Sequence, residues 1–294
     1  MRVTDRLIFQ GATTNLGRAR EKEELASQEA QTGIRVNHPG DDPGAAGLIV
    51  THRVEQKRFA AIQQSVGRAS DELGSTDGAL DTVTNSLARA RELAVQLSNG
   101  TYSANERAGA AVEISGLVQS VLGALNTKVG SHYVFGGNKD QAPPFDPAGN
   151  YAGDDGIHQV EIAPGVYQAA SVNANVGIKG SAGGVDVIAT LQALQAALQS
   201  NNVAGVQASL NPLEQSTSQV SNMRAQVGSS MNVLDAATAI NKASSDSATS
   251  KISTLADADA IASASNLALA ERSLEAAYTA ASKSFQLTLV DKLR

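Results

Sequence analysis

The sequence predicts a mainly α fold: an elongated antiparallel bundle of long, coiled-coil-like helices carrying one small inserted β domain. Three observations predict it. First, Phe59, Ile62, Val66, Ala69, Leu73, Thr76, Leu80, Val83, Leu87, Ala90, Ala94 and Leu97 succeed one another at alternating steps of three and four, an apolar seam broken only by Thr76. Held for about five heptads, such a seam belongs to a helix buried against partner helices, and at about 1.5 Å per residue it extends over ~57 Å. Second, aromatic residues make up only 3% of the chain and tryptophan is absent, so the core is built thinly from Ala, Leu and Val. Third, the composition changes at Gly130: four of the seven prolines and five of the ten aromatics fall between Tyr133 and Tyr167, which replaces helix by turns and short strands.

Taken in order, Val3 to Gln31 reads as a helix with a sparse stripe that stops at Thr32-Gly33, where glycine closes a helix without steric cost. After a loop, Asp42 offers a cap and Pro43 a first helical position, so the long seam helix starts there. It ends near Asn99-Gly100, and Ser103 with Glu106 has the spacing of a capping box for the next helix. Ala108, Ala111, Ser115, Val118, Leu122, Leu125 and Val129 form a second seam, and the short turn before it makes the pair an antiparallel hairpin.

In the β segment, Tyr133 to Phe135 reads as one strand, and Val160 to Ala163 and Val166 to Val172 flank a Pro164-Gly165 turn. About 50 residues bury little alone, so the module leans on the helices, and its abrupt composition predicts that it can be cut out without unfolding them. Gly183-Gly184 ends it. Val187, Leu191, Leu194 and Leu198 resume helical spacing until Asn201-Asn202, and a second long helix is expected from Pro212. Leu213, Val220, Val227, Leu234, Ala248 and Leu255 carry it at multiples of seven, with Asn241 at the missing beat, where a polar residue can fix register. Leu267, Ala270, Leu274, Ala277, Ala281, Phe285 and Leu289 give a last stripe.

The same residues exclude much chemistry. The net charge of −6 and the lack of a basic run argue against nucleic acid as a partner. No stretch of ~18 apolar residues is evident, so no membrane insertion is expected, and Met1 to Gln10 lacks the apolar centre of a secretory signal. His38, His52, His132 and His158 show neither zinc-pair spacing nor a neighbouring cysteine, and there is no cysteine at all. Gly180-Ser181-Ala182-Gly183 matches neither a nucleophile elbow nor a phosphate loop. Asp41-Asp42 and Asp257 with Asp259 read as helix caps before cation ligands. No catalytic residue, cofactor or metal site is expected, so the chain reads as a non-enzyme.

Two stretches at opposite ends then agree on a family. Gln31-Thr32-Gly33-Ile34-Arg35-Val36-Asn37-His38-Pro39-Gly40-Asp41-Asp42-Pro43-Gly44-Ala45-Ala46 resembles the segment after the first helix of bacterial flagellins, and Leu255-Ala256-Asp257-Ala258-Asp259-Ala260 resembles the matching C-terminal entry. Tyr133-Val134-Phe135-Gly136-Gly137, Pro143-Pro144-Phe145, Tyr151-Ala152-Gly153-Asp154 and Arg224-Ala225-Gln226-Val227-Gly228 are similar to the branch of the family that sits between hook and filament. Gly40 departs from the Ser or Lys of many relatives, which touches only that loop's contacts.

The resemblance implies a flagellin-like structural subunit of the flagellum. Its expected partners are its own copies, a hook-side junction protein, flagellin and an export chaperone; export is expected without a cleaved signal peptide. Terminal helices (1–41 and 256–294) are expected to line the inner tube, with a helical rod (42–130 and 183–255) and a small outward β domain (131–182). The expected interface residues are Val3, Leu7, Leu16, Leu25, Leu267, Leu274, Ala281, Phe285 and Leu289, and the rod core is Phe59, Ile62, Val66, Leu73, Leu80, Val83, Leu87 and Leu97. An ordinary flagellin and a soluble signalling coiled coil are the rival readings; the β segment stands against both, and the two flagellin-like ends against the second.

Overall fold

The computed structural model describes residues 2–290, with side chains described over 6–283 apart from residue 8. The fold is mainly α. Its elements run α1 (Arg2–Thr32), α2 (Pro43–Leu97), α3 (Ala104–Leu125), β1 (Lys128–Val129), β2 (His132–Tyr133), β3 (Gln159–Ala163), β4 (Val166–Ala169), α4 (Ala174–Gly177), α5 (Val187–Gln199), α6 (Val203–Ala256) and α7 (Ala260–Val290). They form two compact units: unit 1 holds residues 1–57 and 244–294, and unit 2 holds residues 58–243.

In unit 2 the α2 seam is the spine of the core. Val66, Leu80, Val83, Leu87, Ala90 and Ala94 are fully buried, and they share one apolar cluster with Ile114, Val121 and Leu125 of α3, Leu191, Leu194 and Leu198 of α5, and Val220, Val227 and Leu234 of α6. Thr76, the break in the seam, is buried too, and its hydroxyl donates to the Glu72 carbonyl at 2.9 Å, which satisfies the group inside its own helix. Arg224 of α6 bridges back to α2, reaching Asp77 at 3.0 Å and Asp81 at 2.8 Å.

Two sequence expectations change here. The helix expected from Pro212 begins at Val203, since Asn202 Oδ1 accepts the Gly205 N–H at 3.0 Å and Val206, one beat of seven before Leu213, is fully buried. Two turns of buried contact outweigh the backbone donor that Pro212 lacks. α3, moreover, is long and apolar enough to cross a membrane, contrary to the expectation that no stretch approaches that composition. Its Ile114, Val118, Val121, Leu122 and Leu125 are buried in the core of unit 2, which accounts for their apolar character.

One end of unit 2 closes on a buried guanidinium. Arg107 of α3 donates from Nε to the Leu97 carbonyl (3.2 Å), from Nη2 to the Asn99 carbonyl (2.8 Å) and from Nη1 to Asn201 Oδ1 (2.6 Å). It thereby satisfies carbonyls at the C-terminus of α2 and pins the α5–α6 turn, where Asn201 adopts φ 51°.

The β segment is less separable than its composition suggests. β1 pairs with β2 and β3 with β4, each pair antiparallel, and Gly165 at φ 79° makes the second turn as its position after Pro164 requires. However, Phe135, Phe145, Val172, Ala174 and Ile178 lie in the same cluster as the helical seams. Asn126, just past α3, grips Phe145 reciprocally: its Nδ2 donates to the Phe145 carbonyl at 2.9 Å and its Oδ1 accepts the Phe145 N–H at 3.0 Å. Asn241, the polar beat of α6, is buried and donates to the Ile162 carbonyl at 2.6 Å, so its partner is the β3–β4 hairpin. The module leans on the helices by sharing their core, which argues against the expectation that it can be cut out without unfolding them.

Tyr151 supplies a pH handle within this segment. Its hydroxyl lies 2.9 Å from the Phe135 carbonyl and 2.8 Å from that of Asp154; burial, then the Asp154 and Asp155 carboxylates, push its pKa from 10.0 up to about 12. The folded chain thus holds the phenol proton more tightly than the unfolded one, so the contribution is complete below pH 10.0 and is lost as pH rises toward about 12. Urea melts across that range should show stability falling with pH in the parent and a flatter profile in Tyr151→Phe.

Candidate assembly surface

Unit 1 is built where the two chain ends meet. α1 stops because Gly33 takes φ 67° while its N–H still reaches the Glu29 carbonyl at 2.9 Å. The chain then crosses the segment between α6 and α7: Ile34 pairs antiparallel with Asp257, Arg35 and Val36 both donate to the Ala256 carbonyl, and Ala258 donates to the Gly33 carbonyl. Arg35 adds a side-chain bond to the Leu255 carbonyl at 3.0 Å and lies 3.4 Å from Asp42. Beneath this crossing sits a small core of Val36, Ala45, Ile49 and Ala256.

The acidic residues of this region are occupied by backbone. Asp41 Oδ2 accepts the Asn37 and His38 N–H groups, Asp42 Oδ1 caps Ala45 at 3.0 Å, and Asp259 Oδ1 caps Ile261 at 2.8 Å. The Ala45 N–H foremost, with Arg35 assisting against slight desolvation, holds the Asp42 carboxyl below the usual range. Elsewhere, His52 faces Glu55 at 2.9 Å, and His132 and His158 face Glu72 at 3.5 and 3.8 Å. Among the described residues no group of three His, Asp or Glu side chains is arranged to hold a metal ion.

α1 and α7 pack against each other. Arg20 donates from Nε to the Tyr278 hydroxyl at 2.9 Å, with its guanidinium 5.4 Å from the ring centre, and Ser263 donates to Glu29 at 3.2 Å. Leu16, Leu267 and Leu274 are half-buried and Ala281 is buried, whereas Leu7 and Leu25 are exposed. The side chains of Val3, Phe285 and Leu289 lie outside those described. The rod-core residues Ile62, Val66, Leu73, Leu80, Val83, Leu87 and Leu97 are buried and Phe59 is half-buried.

The sequence stripe omits further exposed apolar residues. Phe9 is exposed on α1, and Ile261 (81% exposed) and Leu269 (59%) stand on α7. Leu269 borders a groove that Leu25 and Ala26 of α1 also line, so it sits at the edge of the α1–α7 contact, whereas Ile261 stands in the first turn of α7.

Residues 7–140 match the family model of the bacterial flagellin N-terminal helical region. The chain is 26% identical to flagellar hook-associated protein 3 of Escherichia coli (strain K12), an alignment covering 95% of this chain and 96% of that protein. The crystal structure of Bacillus cereus FlgL has the same fold at TM-score 0.61 and 24% identity, covering 69% of this chain and 99% of that one. The flagellar junction protein FlgL of Legionella pneumophila does so at TM-score 0.58 and 16% identity, covering 71% and 100%.

Proposed function

We propose that the chain, whose residues 7–140 match the family model of the bacterial flagellin N-terminal helical region and which aligns with hook-associated protein 3 along 95% of its length, is a structural subunit of the flagellar hook–filament junction. The observation that carries the mechanism is the α1–α7 pair of unit 1, which leaves Leu7, Leu25, Ile261 and Leu269 exposed around a seam already closed by Leu267, Leu274 and Ala281. Covering that apolar surface with neighbouring copies, with a hook-side protein and with flagellin drives assembly. The work is done by surfaces, with no reacting residue. The subunit leaves the cell through the flagellar export route without a cleaved signal, held beforehand by a chaperone.

Two measurements test this. Labelled chain should appear as one band where hook meets filament; label along the whole filament would mean a filament subunit, and flagella without label would overturn the reading. Ile261→Asp with Leu269→Asp should change monomer stability by no more than about 0.5 kcal/mol, as surface substitutions do, yet abolish incorporation. Normal incorporation of that variant would remove Ile261 and Leu269 from the interface.

A further inference from the structure

The chain contains a single Asn-Gly dipeptide, Asn99-Gly100, in the exposed turn between α2 and α3. Asn99 Oδ1 accepts the Thr101 N–H at 3.1 Å, which folds the side-chain amide back over the peptide that follows it and polarises Cγ. Beyond its two neighbours nothing lies within 4 Å of where a β-carbon on Gly100 would stand, so no other group crowds this exposed turn and glycine adds no side chain to shield the peptide that follows Asn99. At the same time two donors converge on the Asn99 backbone carbonyl: Arg107 Nη2 at 2.8 Å and the Tyr102 N–H at 3.4 Å. Arg107 is itself 3% exposed and forms no ion pair with a carboxylate among the described residues.

We propose that Asn99 is a self-modification site that converts to isoaspartate, with Arg107 steering the outcome. The deprotonated Gly100 nitrogen attacks Asn99 Cγ, the Cγ–Nδ2 bond breaks, and ammonia leaves with the displaced proton, giving a cyclic imide. Solvent water then opens the ring at one of its two carbonyls. Attack at Cγ gives aspartate. Attack at the former backbone carbonyl breaks its bond to the Gly100 nitrogen, reroutes the main chain through Cγ and leaves that carbonyl as a free carboxylate. The carbonyl held by Arg107 is the second of these, so the guanidinium draws electrons from the carbon whose opening yields isoaspartate. The new carboxylate forms against Arg107 and gives the buried cation an anionic partner. No oxidant, metal or enzyme enters the balance.

The test incubates the full chain in mildly alkaline buffer at physiological temperature and follows Asn99 by peptide mass spectrometry with enzymatic detection of isoaspartate. Amide loss should concentrate at Asn99 among the asparagines. Gly100→Ala, whose β-carbon meets nothing and whose backbone is not left-handed, should fold normally and lose the amide about tenfold more slowly. A peptide spanning residues 93–104, which lacks Arg107, should give a ratio of isoaspartate to aspartate at least about twofold lower than the folded chain, since only the fold applies the carbonyl donors. Asn99 remaining an amide while the peptide converts would overturn the site, and equal product ratios in chain and peptide would overturn the role of Arg107.

Discussion

Replacing residues 138–180 by a short Gly/Ser linker is expected to unfold unit 2. Phe145, Val172 and Ile178 leave the shared core in that deletion, and full burial of such side chains contributes about 1.5–3 kcal/mol each. Together they amount to roughly 5–9 kcal/mol, a loss of the same size as the ~5–15 kcal/mol that holds a whole domain together. The deletion also strands Asn126, which loses both of its bonds to Phe145, and Asn241, which loses the Ile162 carbonyl. The single substitution Phe145→Ala isolates the packing part and should cost about 3–5 kcal/mol. Circular dichroism melts read both. Retention of a cooperative helical transition in the deletion variant would mean the module is peripheral after all.

Arg107→Met should lower stability by about 3 kcal/mol even though methionine matches its length and removes a buried charge. The Leu97 carbonyl lies beside a fully packed seam and is left without its donor, and Asn201 loses the bond that holds a left-handed turn. Arg107→Lys should recover only part of the loss, since one ammonium does not reproduce a planar fork reaching three acceptors on separate segments. A chemical-denaturation midpoint unchanged in either variant would show that solvent replaces these bonds.

Much of this was legible in the residues because local chemistry and tertiary packing agree. Asp42-Pro43 starts α2, the Ser103 and Glu106 box starts α3 with both of its hydrogen bonds made, and Pro164-Gly165 turns β3 into β4. The step of seven located the buried face of α2 residue by residue. The errors share a cause: a strong local cue hid a long-range one. Pro212 masked the Asn202 cap and the Val206 beat; a proline- and aromatic-rich composition masked how deeply Phe145 and Ile178 are packed; and the four-residue α4 is too short to show a period. Arg107 gave no signal, because a charged residue in a helix reads as surface until its acceptors, ten residues before it and ninety-four after, are brought together. In unit 1 the α7 stripe marked residues that pack toward α1, while the exposure of Ile261 and of Leu269, at the edge of that contact, needed the helix pairing to be seen.

The crossing of Ile34 to Val36 with Leu255 to Ala258 has a consequence for the order in which the chain folds. Unit 2 is one continuous stretch, whereas unit 1 is assembled from two pieces separated by the whole of residues 58–243. Closing a loop of that length in an unfolded chain costs entropy before any contact is made, and the crossing returns only a handful of bonds and a four-residue core. Unit 2 also joins distant segments, as the Arg224 to Asp77 bridge does, but its larger shared core offsets that cost, whereas the crossing has little to offset it. A chain emerging from its amino end therefore holds α1 without its partner until α7 follows, and the Arg35 crossing waits until residues 255–258 are in place.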